Sequence, residues 1–250
     1  MNTKNNLPFA LTVAGFDGSG GAGILADIKA FEYFGVYGQA VCTANTVQNE
    51  SDFISPGFLP WESILIQLNA LYQKRSFDFI KIGLISNSLI LKKIVRYIRE
   101  RSPDAFIIWD PIVSASAGYE FFSGEEAEAF FPLLQDIDLI TPNQKEFIYL
   151  GLGLAASRDE VAIGSDFAVL LKGGHQQGPL STDVLWHENQ QYKFSSTRLP
   201  GPGKHGTGCT LSAAILANLA LGKTLVESCE IAKRYLDQFL KGGEGLLGRS

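Results

Sequence analysis

Short runs of Val, Ile, Leu and Phe, each long enough for one buried strand, recur along the chain with amphipathic stretches between them. The runs are Phe9–Gly15, Gln39–Thr46, Phe79–Gly83, Ala105–Asp110, Asp138–Thr141 and Phe167–Lys172. Strands so nearly all apolar must be covered on both faces. The stretches Ala22–Phe34, Glu62–Lys74, Leu89–Arg101 and Glu125–Leu134 carry apolar residues three and four apart, the spacing of helices that supply such cover. This alternation is that of βαβ units wound on a mostly parallel sheet, and it predicts an α/β fold. Asp183–Trp186 and Gln191–Phe194, joined by His187-Glu188-Asn189-Gln190, read as a hairpin added after the parallel part. Two helices follow. Cys209–Leu221 is apolar all round and must be buried, and the second helix aligns Leu225, Cys229, Ala232, Leu236 and Phe239 on one stripe. The tail beyond Lys241 contains four glycines and is expected to be loose. With no repeat, low-complexity tract or interdomain linker, residues 1–250 read as a single domain.

The formal charge of −5 and the lack of any Lys/Arg cluster argue against nucleic acid as a partner. The three cysteines, Cys42, Cys209 and Cys229, lie far apart without the close pairs of a zinc site, and read as free thiols of a reducing compartment. Leu7 to Ala14 superficially suits a signal peptide but leads straight into a glycine loop, as a first buried strand would. No apolar run of about 20 residues is present to span a bilayer. The expectation is a cytoplasmic protein with no membrane partner.

Two glycine-rich turns are candidates for chemistry. Gly18-Ser19-Gly20-Gly21-Ala22-Gly23 follows the first strand and opens the first helix, formally matching a dinucleotide-binding loop. Such a loop needs an acid at the end of the second strand to hold a ribose, and Thr46-Val47-Gln48-Asn49 stands there instead. The turn is then either a tight corner needing positive φ or a place where backbone approaches a small ligand. In the second case Asp27 and Gln48 would grip ring nitrogens or an amino group; otherwise Asp27 is a solvated helix residue.

The second turn, Gly203-Lys204-His205-Gly206-Thr207-Gly208-Cys209-Thr210, feeds the buried helix. Unpaired N–H groups at a helix start, at the positive end of its dipole, suit an anion or a developing phosphoryl charge, with Lys204 as a possible helper. The same field is expected to lower the Cys209 thiol pKa and let it take a proton from a substrate hydroxyl; the alternative is a small residue packed on the sheet. Gly222-Lys223-Thr224 has Ala217 where a Walker A loop needs glycine, and is rejected. At the strand ends, Asp110, Asn143 and Glu146 offer oxygen ligands for a hydrated Mg²⁺, although Asn143 and Glu146 also make a good helix-capping pair. Lys172 and Lys233 offer cations that are either functional or merely solvated.

Taken in order, Ala14-Gly15, Ser19-Gly20-Gly21-Ala22-Gly23-Ile24, Ala26-Asp27, Lys81-Ile82-Gly83, Thr141-Pro142-Asn143, Lys172-Gly173-Gly174-His175 and His205-Gly206-Thr207-Gly208-Cys209-Thr210-Leu211-Ser212 resemble the ribokinase-like superfamily. Within it they resemble the hydroxymethylpyrimidine/phosphomethylpyrimidine kinase branch, over almost the whole chain to about Leu240. The resemblance implies a three-layer α/β/α fold, ATP and Mg²⁺, and phosphorylation of the hydroxymethyl group of 4-amino-5-hydroxymethyl-2-methylpyrimidine in thiamine synthesis, in many members followed by phosphorylation of the monophosphate. It implies a pyrimidine pocket lined by Gly15, Ala22, Asp27, Gln48, Leu84 and Ile112, and an anion hole of Gly206, Thr207 and Gly208. Cys209 falls at the position of the base. Asp110, Asn143 and Glu146 would organise Mg²⁺, and Lys172 and Lys233 would reach the nucleotide. A homodimer is the assembly entertained.

Phe16 stands where the family usually has Thr or Ser, and Gly18 where it usually has Pro or Ser. Ser116-Ala117-Gly118 replaces the usual Lys-Ser-Gly and removes a cation near the transferred phosphate, which bears on the second phosphorylation. The segment from Gln144 to Asp166 is shorter than usual. The alternatives are a pyridoxal or pyridoxine kinase, a pyrimidine-binding homologue without turnover, and a dinucleotide-binding oxidoreductase.

Overall fold

A computed structural model describes residues 7–115, 118–122, 127–152, 167–174, 178–201, 203–242 and 245–249. Strands β1 (Phe9–Asp17), β2 (Tyr37–Gln48), β4 (Phe79–Ile82), β5 (Phe106–Trp109), β6 (Leu139–Ile140) and β7 (Ala168–Leu171) form the parallel body of one sheet. A short β3 (Phe53–Ser55) and the hairpin β8 (Leu180–His187) and β9 (Gln190–Thr197) add antiparallel edges. The strand order is β3-β2-β1-β4-β5-β6-β7-β8-β9. Strands with β-branched and aromatic residues on both faces need two helical layers, and they have them. One face of the sheet packs on α2 (Trp61–Tyr72) and α3 (Ser88–Arg101), where Leu68, Leu91, Ile94 and Ile98 are fully buried. The other packs on α1 (Gly23–Tyr33), α6 (Thr207–Ala220) and α7 (Leu225–Lys241), where Phe31, Ala213, Ile215 and Leu216 are.

Differences from the sequence reading have local causes. β1 and β2 run past the expected ends into a projecting flap completed by β3. Of the helix expected over Glu125–Leu134, residues 125 and 126 lie outside the described residues; Ala127–Phe130 form α4, and a 3-10 helix follows over Phe131–Asp136. Pro132 has no N–H to continue an α-helical ladder. The hairpin turn narrows to Glu188-Asn189, both at positive φ of 50° and 58°, as a two-residue type I′ connection requires. Ser116 and Ala117 and most of the shortened segment, residues 153–166, lie outside the described residues, as does His175. No helix among the described residues is long and apolar enough to cross a membrane.

The order of strands reverses between β1 and β4, each the parallel neighbour of the other. In open α/β sheets the crevice beyond the strand ends at such a point is where ligands bind. Asp17, Leu84, Asp110 and Lys172 lie at or just beyond the carboxyl ends of their strands, and α6 packs across β1 and β4.

Candidate active site

A register irregularity between Ala14 and Gly15 gives β1 its turn into the site: Ala14 pairs with Cys42, but Gly15 pairs with Ala44. Bulges of this kind re-aim a strand next to a functional site. Beyond it the first glycine loop wraps the Asp17 carboxylate, which accepts from the Ser19 N–H at 2.9 Å, the Ser19 hydroxyl at 2.8 Å and the Ala22 N–H at 2.9 Å. The His205 ring adds a contact at 2.8 Å from its Nε2. Burial pushes the Asp17 carboxyl up, but the His205, Ser19 and Ala22 bonds outweigh it and hold the group below the usual carboxylate range.

The second glycine loop closes on the first. Gly206 caps α6 at a φ of 74°, and a Cβ there would lie 1.8 Å from the Gly21 carbonyl oxygen, so no other residue fits. α6 therefore starts at Thr207, directly after the contact of Gly206 with Gly21. Gly208 faces Lys172: a Cβ on it would lie 3.1 Å from Nζ and 3.6 Å from Asp110 Oδ2. Cys209 is buried, and the Gly23 N–H at the start of α1 is among the groups that favour its charged form. The thiol thus sits between the two glycine loops.

The expectation of a lowered thiol pKa is not met. Burial pushes the Cys209 thiol up to about 11; Lys81 opposes this, whereas Asp110 and Asp27 reinforce it. The field of a helix start does not outweigh loss of solvent around a sulfur this deep.

Asp27 is likewise neither solvated nor in line with Gln48. It is fully buried, receives the Thr12 hydroxyl at 2.6 Å and forms an ion pair with Lys81, also fully buried. Burial pushes the Asp27 carboxyl up against the pull of Lys81. Burial works against the Lys81 charge too, but Asp27, Cys209 and Asp110 outweigh it and raise the ammonium. Lys81 also donates to the Cys209 carbonyl at 3.3 Å, tying β4 to the first turn of α6. Gln48 instead donates to Thr46 at 2.8 Å, and Thr46 donates to the Phe16 carbonyl at 2.8 Å. Gly15 and Leu84 are in close contact, with only 3.1 Å left for a Cβ; Ala22 is the N-cap of α1, and Ile112 is half-buried just after β5.

On the other side of Gly208, Lys172 bonds Asp110 at 2.8 Å and reaches Glu146 at 3.5 Å. Asp110 also accepts from Thr141 at 3.2 Å and from Ser212 at 3.4 Å. Burial pushes Asp110 up, yet Lys172 and Lys81 hold it below its ordinary value. Burial pushes Glu146 up to about 7, with Lys172 pulling the other way. Asn143 and Glu146 form a capping box on α5 (Gln144–Tyr149): the Asn143 side chain accepts from Lys145 and Glu146, and the Glu146 carboxylate accepts the Asn143 N–H at 2.6 Å. The capping reading of this pair is met, and the Glu146 Oε2 that accepts the Asn143 N–H is also the oxygen nearest Lys172. Two carboxylates sharing one ammonium have the oxygen chemistry of a Mg²⁺ site. In this state that charge is met by Lys172, and no group of three or more His, Cys, Asp and Glu residues among the described residues could hold a metal alone. Lys233 pairs with Asp183 at 2.9 Å, and Asp183 accepts the Gly173 N–H at 2.7 Å, so Lys233 supports the Lys172-Gly173 turn rather than facing the crevice. Lys204 does not point at the helix start: it donates to the carbonyls of Gly245 and Leu247.

Sequence reasoning gave no role to Asp17, His205 or Lys81. A lysine in the run Phe79-Ile80-Lys81-Ile82 was the available sign, because a charge on a strand covered on both faces must have a buried partner.

A family model described as phosphomethylpyrimidine kinase matches residues 17–247. The hydroxymethylpyrimidine/phosphomethylpyrimidine kinase of Aquifex aeolicus is 34% identical over 246 residues, covering 95% of this chain and 96% of that one. Among solved structures, the pyridoxal kinase from Staphylococcus aureus in complex with ADP superimposes with a TM-score of 0.84 at 28% identity, over 97% of this chain and 92% of that one. The phosphomethylpyrimidine kinase from Clostridium difficile gives 0.75 at 32% identity, over 92% and 98%.

Proposed function

The chain belongs to the phosphomethylpyrimidine kinase family, and from that premise we propose that it transfers the γ-phosphoryl group of ATP to the hydroxymethyl oxygen of 4-amino-5-hydroxymethyl-2-methylpyrimidine, in thiamine synthesis. The observation that carries the reading is the meeting of the two glycine loops, with Cys209 on one side of Gly208 and Lys172 on the other. The flat ring lies over Gly15, Ala22, Leu84 and Ile112, with Gln48 at its polar edge, while Asp27 stays buried against Lys81. Its hydroxyl points at Cys209. The N–H groups of Gly206, Thr207 and Gly208 and the Lys172 ammonium stabilise the charge on the γ-phosphoryl oxygens.

In the transfer the hydroxyl oxygen bonds to the γ-phosphorus, the bond to the β-γ bridging oxygen breaks, ADP leaves, and the hydroxyl proton passes to Cys209 in its thiolate form, which becomes the thiol. Phosphoryl transfer depends mainly on positioning and charge stabilisation. Asp110 is one of the carboxylates that hold the thiol up, so neutralising it when nucleotide binds moves Cys209 in the direction a base needs. Asp110 and Glu146 would hold Mg²⁺, with Asn143 reaching it through water; the ion would neutralise charge on the nucleotide phosphates. Lys172 reaches the nucleotide directly, and Lys233 acts by holding the turn beyond it. ADP in the superimposable pyridoxal kinase supports ATP as the donor.

That same superposition is the specific observation favouring a second reading, a vitamin B6 kinase. ADP release measured with the pyrimidine alcohol, its monophosphate, pyridoxal and pyridoxine separates the two: the proposal expects the pyrimidine alcohol to have the highest kcat/KM, and a B6 vitamer in first place overturns it. The proposal includes a cytoplasmic setting, in keeping with free Cys42, Cys209 and Cys229, and a homodimer. The homodimer is supported by the flap, where Val47 and Ile54 are 50% and 68% exposed beside the clustered rings of Phe53, Tyr119 and Phe121.

A further inference from the structure

The chain's last residues return to the active site. From the end of α7 the segment Gly245–Arg249 runs back over the second glycine loop, and each of its contacts falls on that loop, on its partner loop or on α7. The Leu246 carbonyl accepts from the His205 N–H at 2.8 Å. The Gly245 and Leu247 carbonyls accept from Lys204 Nζ at 2.8 and 3.1 Å. The Leu247 side chain packs with the His205 ring on Gly21, leaving 3.0 Å from Cδ2 to where a Cβ would stand. At the far end the Arg249 N–H reaches the Phe239 carbonyl at 3.3 Å, and Gly248 lies so close to the Phe239 ring that a Cβ would come within 2.2 Å of it.

We propose that this strap, together with the His205–Asp17 contact, positions the Gly206-Thr207-Gly208 loop for phosphoryl transfer. On its C-terminal side the loop is held by the first turn of α6, where Thr210 N–H bonds the Gly206 carbonyl at 2.9 Å and the Ser212 hydroxyl bonds the Gly208 carbonyl at 3.0 Å; on its N-terminal side the strap and His205 hold it. Gly206 sits at positive φ with no side chain, and its N-terminal flank is Gly203 and Lys204. His205 is fixed twice, through its ring to Asp17 and through its backbone to Leu246. Asp17 in turn organises Ser19 and Ala22, so one residue sets the distance between the two glycine loops. A shift of about 1 Å in groups that stabilise a transferring charge costs on the order of a hundredfold in rate. Among the described residues the strap contacts Gly21, Lys204, His205, Phe239 and Gly242. It acts through the loop and is a positioning element, and Lys204 spends its ammonium on the strap's carbonyls rather than on an anion.

The inference rests on the anion-hole role given above to residues 206–208, and its test keeps the two apart. Gly248→Val forces a side chain into the Phe239 ring and lifts the strap without touching the site; Leu247→Ser instead weakens the strap's packing on Gly21 beside the His205 ring. The expected result is a fall in kcat of roughly tenfold or more, KM for ATP and for the pyrimidine alcohol changed less than twofold, and faster amide hydrogen exchange at residues 205–208. His205→Ala should repeat this, and His205→Gln, which keeps a donor for Asp17, should recover much of the loss. Unchanged kcat and unchanged exchange in both strap variants would overturn the proposal, as would a change confined to KM. If the intact protein phosphorylates none of the alcohols tested, the functional reading fails, and the exchange measurement still decides whether the strap orders the loop.

Discussion

Replacing Lys81 by Met removes one half of an ion pair whose two side chains are both wholly buried. The Asp27 carboxylate is then left with the Thr12 hydroxyl alone. Breaking a buried pair from one side costs about 3–5 kcal/mol, because a charge stays in the interior without compensation. At about 2–4 °C per kcal/mol for a chain of this size, the melting temperature should fall by roughly 6–20 °C. Adding Asp27→Asn removes the stranded charge while keeping an oxygen for Thr12, and should return most of the loss, since removing both members of a buried pair is often close to neutral. The sign with pH follows from the carboxyl. Burial already pushes Asp27 up with Lys81 in place, and without Lys81 it goes further, so the folded variant binds a proton that the unfolded chain releases. Lys81→Met should therefore regain stability relative to the parent as pH falls from 8 towards 5. Urea unfolding of the parent, both single variants and the double variant closes the cycle. A cost below about 1 kcal/mol for Lys81→Met, or a double variant worse than the single, would refute the assignment of Asp27–Lys81 as a mutually dependent charged pair.

Other consequences are testable in the same preparation. Gly206→Ala puts a Cβ against the Gly21 carbonyl and demands a positive φ, so turnover should drop by on the order of a hundredfold; wild-type rates would show the loops need not meet. With the Cys209 thiol at about 11, kcat/KM should keep rising about tenfold per pH unit past pH 9, because it reports the base in the free protein; a plateau near neutrality would contradict this. Glu146→Gln removes a Mg²⁺ donor but keeps an acceptor for the Asn143 N–H, so turnover should need more Mg²⁺ while the melting temperature moves little; an unchanged Mg²⁺ requirement would remove Glu146 from the ion's shell.

Much of the architecture was legible because it follows from periodicity. Strands covered on both faces are apolar throughout, and every predicted parallel strand is present within a few residues. The glycine loops were legible as close approaches, although not that they approach each other, since sequence spacing carries no information on where Gly21 and Gly206 meet. The buried polar network was harder to see. Asp27 and Lys81 lie 54 residues apart and face one another only because Thr12 and Lys81 are register partners across β1 and β4. The thiol was misjudged because the helix field is a local property, readable from Gly206-Thr207-Gly208, whereas burial is set by the whole fold. The contacts of the described part of the tail, Gly245–Arg249, were not legible for a related reason. Its glycines looked like freedom, but Gly242 and Gly248 allow close contact, with Arg249 in one case and the Phe239 ring in the other.

The central claim, that Cys209 takes the proton from an alcohol held over the two glycine loops, is tested most directly by measuring binding and turnover together in Cys209→Ala. Calorimetric titration with the pyrimidine alcohol should give an affinity within about threefold of the parent, while kcat falls by roughly a hundredfold or more, the scale of losing a general base. Turnover equal to the parent's, with binding intact, would contradict it.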